Sequence, residues 1–384
     1  MSINLPTYLY LLGQIHYPIH VAIQLLRPAS GHVYFVHTAE TRVIADRLCA
    51  ATGLKAGKET TKIPVTDASA NEIISKVYQH ATGKTELGLH YTGGTKRMAL
   101  YTQQAILKAA DQYGYLPTWS YLDARTLSLY IEKAGGNTHI LPAAFAVQPS
   151  TATLLALHGC TASSTLGTPI ADYLTGLYPA LVQTPYEVFR QWWDKAKHGM
   201  RGRMEQIVLP HGSLLAPLAD YWNGVETVGD LASQWQTTVG ELARWFDNLG
   251  LEDYTLWSLQ QKQQVTAVHE TAMNLKAKEL GFEFDVIALR GYQLFAISCA
   301  NADKKDQLKL KLFEAFVRAR QMGGDEARVA VVCRAPAHDS QRTPAVIEQE
   351  IRNEWDREGK IRVFGEEHLP NLADHLADWL TTQP

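Results

Sequence analysis

The chain has 384 residues, 46% of them hydrophobic, 20% charged, with a formal net charge of −3. That length and apolar content predict about two or three domains, and the near-neutral balance excludes a global basic field for nucleic acid while leaving room for a local basic groove. The four cysteines (Cys49, Cys160, Cys299, Cys333) form no Cys-x-x-Cys pair, which argues against a zinc framework and a disulfide framework; with no signal-like amino terminus and no apolar run of membrane-spanning length, a soluble cytoplasmic protein with no membrane partner is expected.

Residues 1–145 alternate strand and helix patterns. Tyr8–Leu12 reads as a buried strand ending at a Gly13-Gln14 turn, Ile19–Leu26 as a helix and Val33–His37 as a second strand. Thr38 is placed to cap the next helix, which carries Glu40 in its first turn. Ser69 and Glu72 have capping-box spacing ahead of Ile73, Ile74, Val77 and Tyr78, which share one helical face. Glu86–Tyr91 is the next strand. It enters Thr92-Gly93-Gly94-Thr95-Lys96, and a helical pattern leaves it. Ser120–Leu122 and Leu127–Ile131 read as a hairpin around Asp123-Ala124-Arg125. The alternation predicts an α/β fold with a mainly parallel, Rossmann-like sheet and helices on both faces.

In such sheets ligands sit at the carboxyl ends of the strands, so Gly13-Gln14, His37-Thr38 and Thr92–Lys96 are expected to converge on one crevice. Gly93 and Gly94 permit positive φ and close backbone approach. The following helix offers unpaired N–H groups and a positive dipole end. Thr92, Thr95 and Lys96 add hydroxyls and a cation. That combination suits an anionic, phosphate-bearing ligand, although the P-loop spacing is absent. For Gly13, Gln14, His37 and Thr38, ordinary turn and capping work is an equally available reading.

Residues 146–249 read as a connecting, largely helical segment. Thr151–Thr165 begins the connection, and Tyr186–Lys197 is an amphipathic helix carrying Trp192 and Trp193. Val228–Trp235 and Val239–Asn248 resemble a helix-turn-helix in outline. Their acids (Asp230, Glu241, Asp247) against the lone base Arg244 favour a packed helical insertion over a phosphate-facing element. Residues 250–384 form a second α/β unit. Leu251–Gln261 is helical, Phe282–Ala288 and Leu294–Cys299 are strands, and Lys304–Met322 is a long helix stopped by Gly323-Gly324. Ala327–Cys333 and Ile361–Phe364 are further strands before a closing helix, Leu369–Leu380.

With Gly13-Gln14 after the first strand and Thr92-Gly93-Gly94-Thr95-Lys96 after a later one, residues 1–145 resemble the CRISPR-associated Rossmann-fold (CARF) sensor domain. Residues 250–382 resemble the PD-(D/E)xK, restriction-endonuclease-like domain that follows it in the CRISPR ancillary nucleases. The resemblance implies a two-fold homodimer that binds cyclic oligoadenylate, most commonly cyclic tetra-adenylate, whose symmetry matches an isologous interface. Thr92, Gly93, Gly94, Thr95 and Lys96 would contact its phosphates and riboses, with Gly13, Gln14, His37 and Thr38 lining the same cleft. The implied activity is allosterically activated, metal-dependent cleavage of single-stranded RNA, and possibly DNA, in type III antiviral defence.

A PD-(D/E)xK site needs a helical Glu, an Asp ending one strand and Glu-x-Lys on the next, with Mg²⁺ or Mn²⁺ held by hard oxygens. Glu252 matches the helical acid and Asp285 the metal-binding Asp. Alternation places Glu283 on the same face as Asp285. Where Glu-x-Lys belongs, the chain reads Ser298-Cys299-Ala300. Either the domain is an inactive scaffold of a ligand-binding regulator that engages DNA or a protein, or the missing groups come from the adjacent helix. On that helix Lys311, Glu314 and Arg318 share one arc, opposite Leu308, Leu312, Ala315, Ala319 and Met322. On the second reading Asp285, Glu252 and Glu314 hold the metal, Lys311 acts at the attacking water and Ser298 adds a hydroxyl. His269-Glu270 opens a His-Glu-x-x-His pattern that Met273 leaves unfinished.

Overall fold

The computed structural model describes residues 7–27, 31–136, 138–161, 177–200, 202–211, 215–222, 224–248, 250–301, 304–336, 343–354 and 359–382. The end of the predicted Thr151–Thr165 connection lies outside them.

The first sheet has seven strands: β1 (Thr7–Leu11), β2 (His32–His37), β3 (Thr60–Pro64), β4 (Gly88–His90), β5 (Thr118–Asp123), β6 (Ser128–Lys133) and β7 (Thr138–Pro142). Their order is β3-β2-β1-β4-β5-β6-β7. The first five are parallel, and β6 and β7 add antiparallel to that edge. Four helices cross over between them: α1 (Tyr17–Leu26), α2 (Arg42–Thr52), α3 (Ala70–Ala81) and α4 (Lys96–Tyr113). Tyr8, Tyr10, Val33 and Phe35 face α1 and α2, while Leu9, Leu11, Val36 and Leu89 face α3 and α4. Both faces are covered, so these strands are apolar almost throughout. The chain fills β2 and β3 on one side of β1 and then crosses to β4 on the other, which makes the β1/β4 boundary the switch point of the sheet.

Helices α5 (Thr151–Leu157), α6 (Tyr178–Gln183), α7 (Tyr186–Gly199), α8 (Val228–Gln234) and α9 (Val239–Asn248) follow, then α10 (Leu251–Gln261). The second sheet, ordered β12-β11-β10-β9-β8, has five strands: β8 (Val268–Ala277), β9 (Phe282–Arg290), β10 (Gln293–Ala300), β11 (Arg328–Cys333) and β12 (Ile361–Phe364). Helix α11 (Lys305–Gly323) covers one face. The stripe predicted for it, Leu308, Leu312, Ala315, Ala319 and Met322, is buried against Ile287, Leu294 and Ala296. The other face receives α10, the closing helix α13 (Leu372–Thr381) and the helices before α10; α12 (Pro344–Glu354) packs beside β12. The α8/α9 pair is buried there through Leu231, Trp235, Leu242, Trp245 and Phe246, beside Trp193 and Trp222. Its apolar faces are thus spent on packing, as its charge predicted.

The lobes share one apolar cluster, in which Tyr17 and Ile23 of α1 join Ile287, Leu294 and Met322. The Tyr292 N–H donates to the Ala144 carbonyl at 3.2 Å, and His158 Nε2 meets the Met322 carbonyl at 3.0 Å. His269 and Glu270 belong to this joint: His269 Nε2 meets the Pro149 carbonyl at 3.1 Å and the Glu270 carboxylate accepts from the Thr151 N–H. Both sit on strand β8 rather than on the helix a zinc motif requires. Among the described residues no helix is long and apolar enough to cross a membrane.

Candidate functional site

Two places gather chemistry-bearing residues. The first is the switch point. Tyr10 of β1 pairs with His90 of β4, so the turns that follow both strands emerge side by side. A Cβ on Gly13 would lie 2.8 Å from the Gly94 nitrogen, a Cβ on Gly93 would lie 2.4 Å from the Leu11 carbonyl oxygen, and Gly94 has φ +77°. Side chains are excluded there because the two turns press on each other. The glycines therefore serve the chain's own backbone, whereas the sequence pointed to close approach of a ligand.

The two threonines hold the turn as well. Thr92 Oγ1 accepts from the Leu122 N–H at 2.8 Å, which ties the turn to β5. Thr95 caps α4 by accepting from the Met98 N–H at 3.1 Å, and its hydroxyl donates to Asp67 at 2.6 Å. Lys96 is exposed in the first turn of α4, with no hydrogen bond or ion pair among the described residues. Gln14 is exposed beside it. His37 is buried and its Nδ1 meets the Thr38 carbonyl at 2.8 Å. Thr38 is not the helix cap predicted for it. Helix α2 begins at Arg42, after Thr41 in the N-cap position, and the Thr38 N–H instead donates to Thr41 Oγ1 at 3.0 Å. The structure thus brings Gly13, Gln14 and Thr92–Lys96 to one place, with His37 and Thr38 one strand away and turned toward their own backbone. Asp67, on the turn after β3, is a member of this place that the sequence did not single out.

The second place is a fork between β9 and β10. Their ladder runs from Gln293/Arg290 to Ile297/Val286. One step further, Asp285 Oδ2 accepts from Ser298 Oγ at 2.9 Å and from the Cys299 N–H at 2.8 Å. Glu252, in the first turn of α10, reaches the same fork. Burial, followed by the charges of Asp285, Asp253 and Glu283, pushes its carboxyl to about 7, and Asn248 bonds its side chain. Burial also pushes the neighbouring Asp253 to about 6. Glu283 lies 3.8 Å from Lys276 across the β8/β9 pair. The Asn274 amide of β8 lies against these acceptors; assigned so that Nδ2 rather than Oδ1 faces them, as acceptors on both sides require, it donates to Glu283 Oε1 at 3.3 Å and to Glu252 Oε2 at 3.2 Å. Sequence reasoning missed Asn274 because its strand was not predicted.

Cys299 is buried, and its thiol is held well above its usual range by burial and then by the Asp285 charge. The Lys311 charge acts the other way on it, and Lys311 itself is exposed on α11. Glu314 is exposed and pairs with Arg318 at 3.5 Å, the i,i+4 pair that a solvated helix face offers; no contact joins it to Asp285 or Glu252 among the described residues. Among those residues no three His, Cys, Asp or Glu side chains converge closely enough to hold a metal ion.

Between these places lies a buried polar joint. Glu326, just before β11, is 1% exposed, and burial pushes its carboxyl to about 8. Its charge acts on Tyr17 of α1 and on Tyr292 of the β9–β10 turn, and that of Asp123, at the end of β5, also reaches Tyr292. Tyr17 and Asp123 each adjoin a segment of the switch-point crevice.

No family model and no curated protein matches the chain. Solved structures do. Protein VC1899 from Vibrio cholerae aligns over 97% of this chain and 97% of its own, at 16% identity and a TM-score of 0.69. Can2 from Sulfobacillus thermosulfidooxidans, in complex with cyclic tetra-adenylate, aligns over 98% of this chain and 99% of its own, at 16% identity and a TM-score of 0.66. The chain shares its fold with both. A type III CRISPR defence DNA nuclease activated by cyclic oligoadenylate also aligns, over 92% of this chain but 53% of its own length, at 17% identity and a TM-score of 0.52. The sequence resemblance to the CARF-plus-nuclease architecture therefore holds at the level of fold across both lobes.

Proposed function

We propose that the chain is a homodimeric nuclease of type III CRISPR defence, activated by cyclic oligoadenylate, with cyclic tetra-adenylate as ligand and single-stranded RNA or DNA as substrate. The observation that carries this reading is the cluster of Glu252, Glu283 and Asp285 at the β9/β10 fork, in a chain whose fold also places a helix N-terminus, Lys96 and Gln14 at a switch-point crevice. The crevice offers N–H donors, an unengaged cation and an exposed amide to a phosphodiester ring.

The fork offers a divalent cation hard oxygen donors from Glu252 and Asp285, short of a closed three-ligand site among the described residues. Burial, and after it the charges of Asp285 and Asp253, push Glu252 to about 7, and carboxylate oxygens are the donors Mg²⁺ or Mn²⁺ prefers. Glu252 and Asp285 would hold it, and when bound it would lower the pKa of a water and offset charge developing on the phosphate. Ser298 Oγ and the Cys299 N–H fix the Asp285 carboxylate by bonding Oδ2. Lys311 of α11, whose charge is felt at Cys299, would supply the cation that the family's Glu-x-Lys strand otherwise brings and would orient the attacking water. Activation is a population shift transmitted through the joint of Tyr17, Tyr292, Asp123 and Glu326.

Cleavage of labelled single-stranded RNA and DNA with Mn²⁺, with and without cyclic tetra-adenylate, tests this. Asp285→Asn should lower the rate at least about 100-fold, the upper end of the cost of losing a supporting residue at a metal site, while leaving ligand affinity intact. Unchanged cleavage removes Asp285 from the site.

One observation favours a second reading, a ligand-binding regulator without catalysis: the strand beside Asp285 carries Ser298-Cys299-Ala300 in place of Glu-x-Lys. Intact RNA and DNA in the presence of bound ligand and Mn²⁺ would select it.

A further inference from the structure

Asn274 is the one strand residue among four non-glycine residues with positive φ in the described structure, at +54°. The β8/β9 ladder pairs Met273 with Val286 and Leu275 with Phe284 and skips the step between them. Asn274 therefore stands opposite Asp285, at a step left unpaired between two paired ones. A left-handed residue costs on the order of 1 kcal/mol, least for Asn, and persists where its surroundings hold it. Here they do. The twist delivers the side chain to two carboxylates on different elements, Glu283 Oε1 at 3.3 Å and Glu252 Oε2 at 3.2 Å.

From this we infer that Asn274 is a positioning residue of the carboxylate cluster. It pins Glu252 of α10 to Glu283 of β9 and so sets where Glu252 stands relative to Asp285. Two like charges brought together without a cation repel, and one amide donating to both offsets that repulsion while fixing their separation. Glu283, engaged by Asn274 and facing Lys276, is a supporting acid, which leaves Glu252 and Asp285 as the cation-facing pair. The inference rests on the nuclease reading for its purpose but not for its geometry.

Full-length Asn274→Gly keeps a backbone that prefers positive φ and removes only the amide, so it should fold with little change in melting temperature. Mn²⁺ binding followed by the EPR signal of the free ion should weaken about 10-fold relative to the unsubstituted chain, the cost of losing a residue that orients a metal ligand. A crystal structure of the metal-free variant should show the Glu252 and Glu283 carboxylates moved apart. Carboxylates that keep their positions in Asn274→Gly overturn the inference whatever the metal does. If instead the unsubstituted chain binds Mn²⁺ no better than Glu252→Gln, the metal reading fails on its own, and the carboxylate separation still decides the role of Asn274.

Discussion

Thr95 holds the glycine turn from two sides. Its oxygen satisfies the Met98 N–H at the start of α4, and its proton goes to Asp67 on a neighbouring turn. Removing an N-cap hydroxyl costs about 1 kcal/mol. Thr95→Ala should lower unfolding stability by that amount in urea titrations and weaken cyclic tetra-adenylate binding, because the turn that positions Lys96 loses both anchors. Thr95→Ser keeps the hydroxyl and should restore both properties. Equal losses in the two variants would assign the effect to the methyl group. The turn at Thr92–Lys96 and the helix leaving it were legible in the sequence because glycine acts locally, whereas the Thr92 and Thr95 hydroxyls read there as ligand contacts. Their partners were not legible: Leu122 and Asp67 come from segments 30 and 28 residues away, and only the sheet order brings them in.

Among elements, those with strong apolar patterns were legible, the edge strand β12 among them, and polar edge strands were not. Helix α9 runs from Val239 to Asn248 as its spacing predicted, and β12 covers the predicted Ile361–Phe364. Strand β3 reads Thr-Thr-Lys-Ile-Pro, every residue of β7 is exposed, and β8 mixes polar with apolar residues. Such an edge strand shows one face or less to the core, so its composition is that of a loop. The missed β8 carried the missed site residue. Helix α10 has the opposite history: it was predicted, but the cost of its first turn was not visible. Acids near a helix N-terminus are ordinarily favoured, yet burial and neighbouring acids push Glu252 to about 7 and burial pushes Asp253 to about 6. The folded state thus keeps protons that the unfolded chain releases near pH 4. The stability these groups contribute is fully present below that pH and is lost as pH rises to about 7, beyond which it is constant. Glu252→Gln should flatten part of that slope, so in urea titrations it gains on the unsubstituted metal-free chain at pH 8 relative to pH 5. Equal differences at the two pH values would mean that Glu252 titrates normally.

Across the whole molecule, the two lobes meet at a joint with little slack. The first sheet's α1/α2 face and the α11 face of the second share one apolar cluster, and the β9–β10 turn is set directly against the stretch after β7. Gly291 in that turn has φ +57°, and a Cβ there would fall 1.7 Å from the Ala144 carbonyl oxygen, a distance that only backbone movement relieves. Gly359 is a matched control, with φ +69° and nothing within 4 Å of a Cβ. Both alanine variants bear the cost of a left-handed residue, about 1 kcal/mol; only Gly291→Ala also forces the lobes apart. Gly291→Ala should therefore lower the melting temperature more than Gly359→Ala does. It should still bind cyclic tetra-adenylate, since the added Cβ meets Ala144 and Phe145 and no crevice residue, and yet lose most of the stimulation of cleavage expected from the ligand. Full stimulation in Gly291→Ala would locate the coupling outside this joint, in the apposition of two protomers rather than within one.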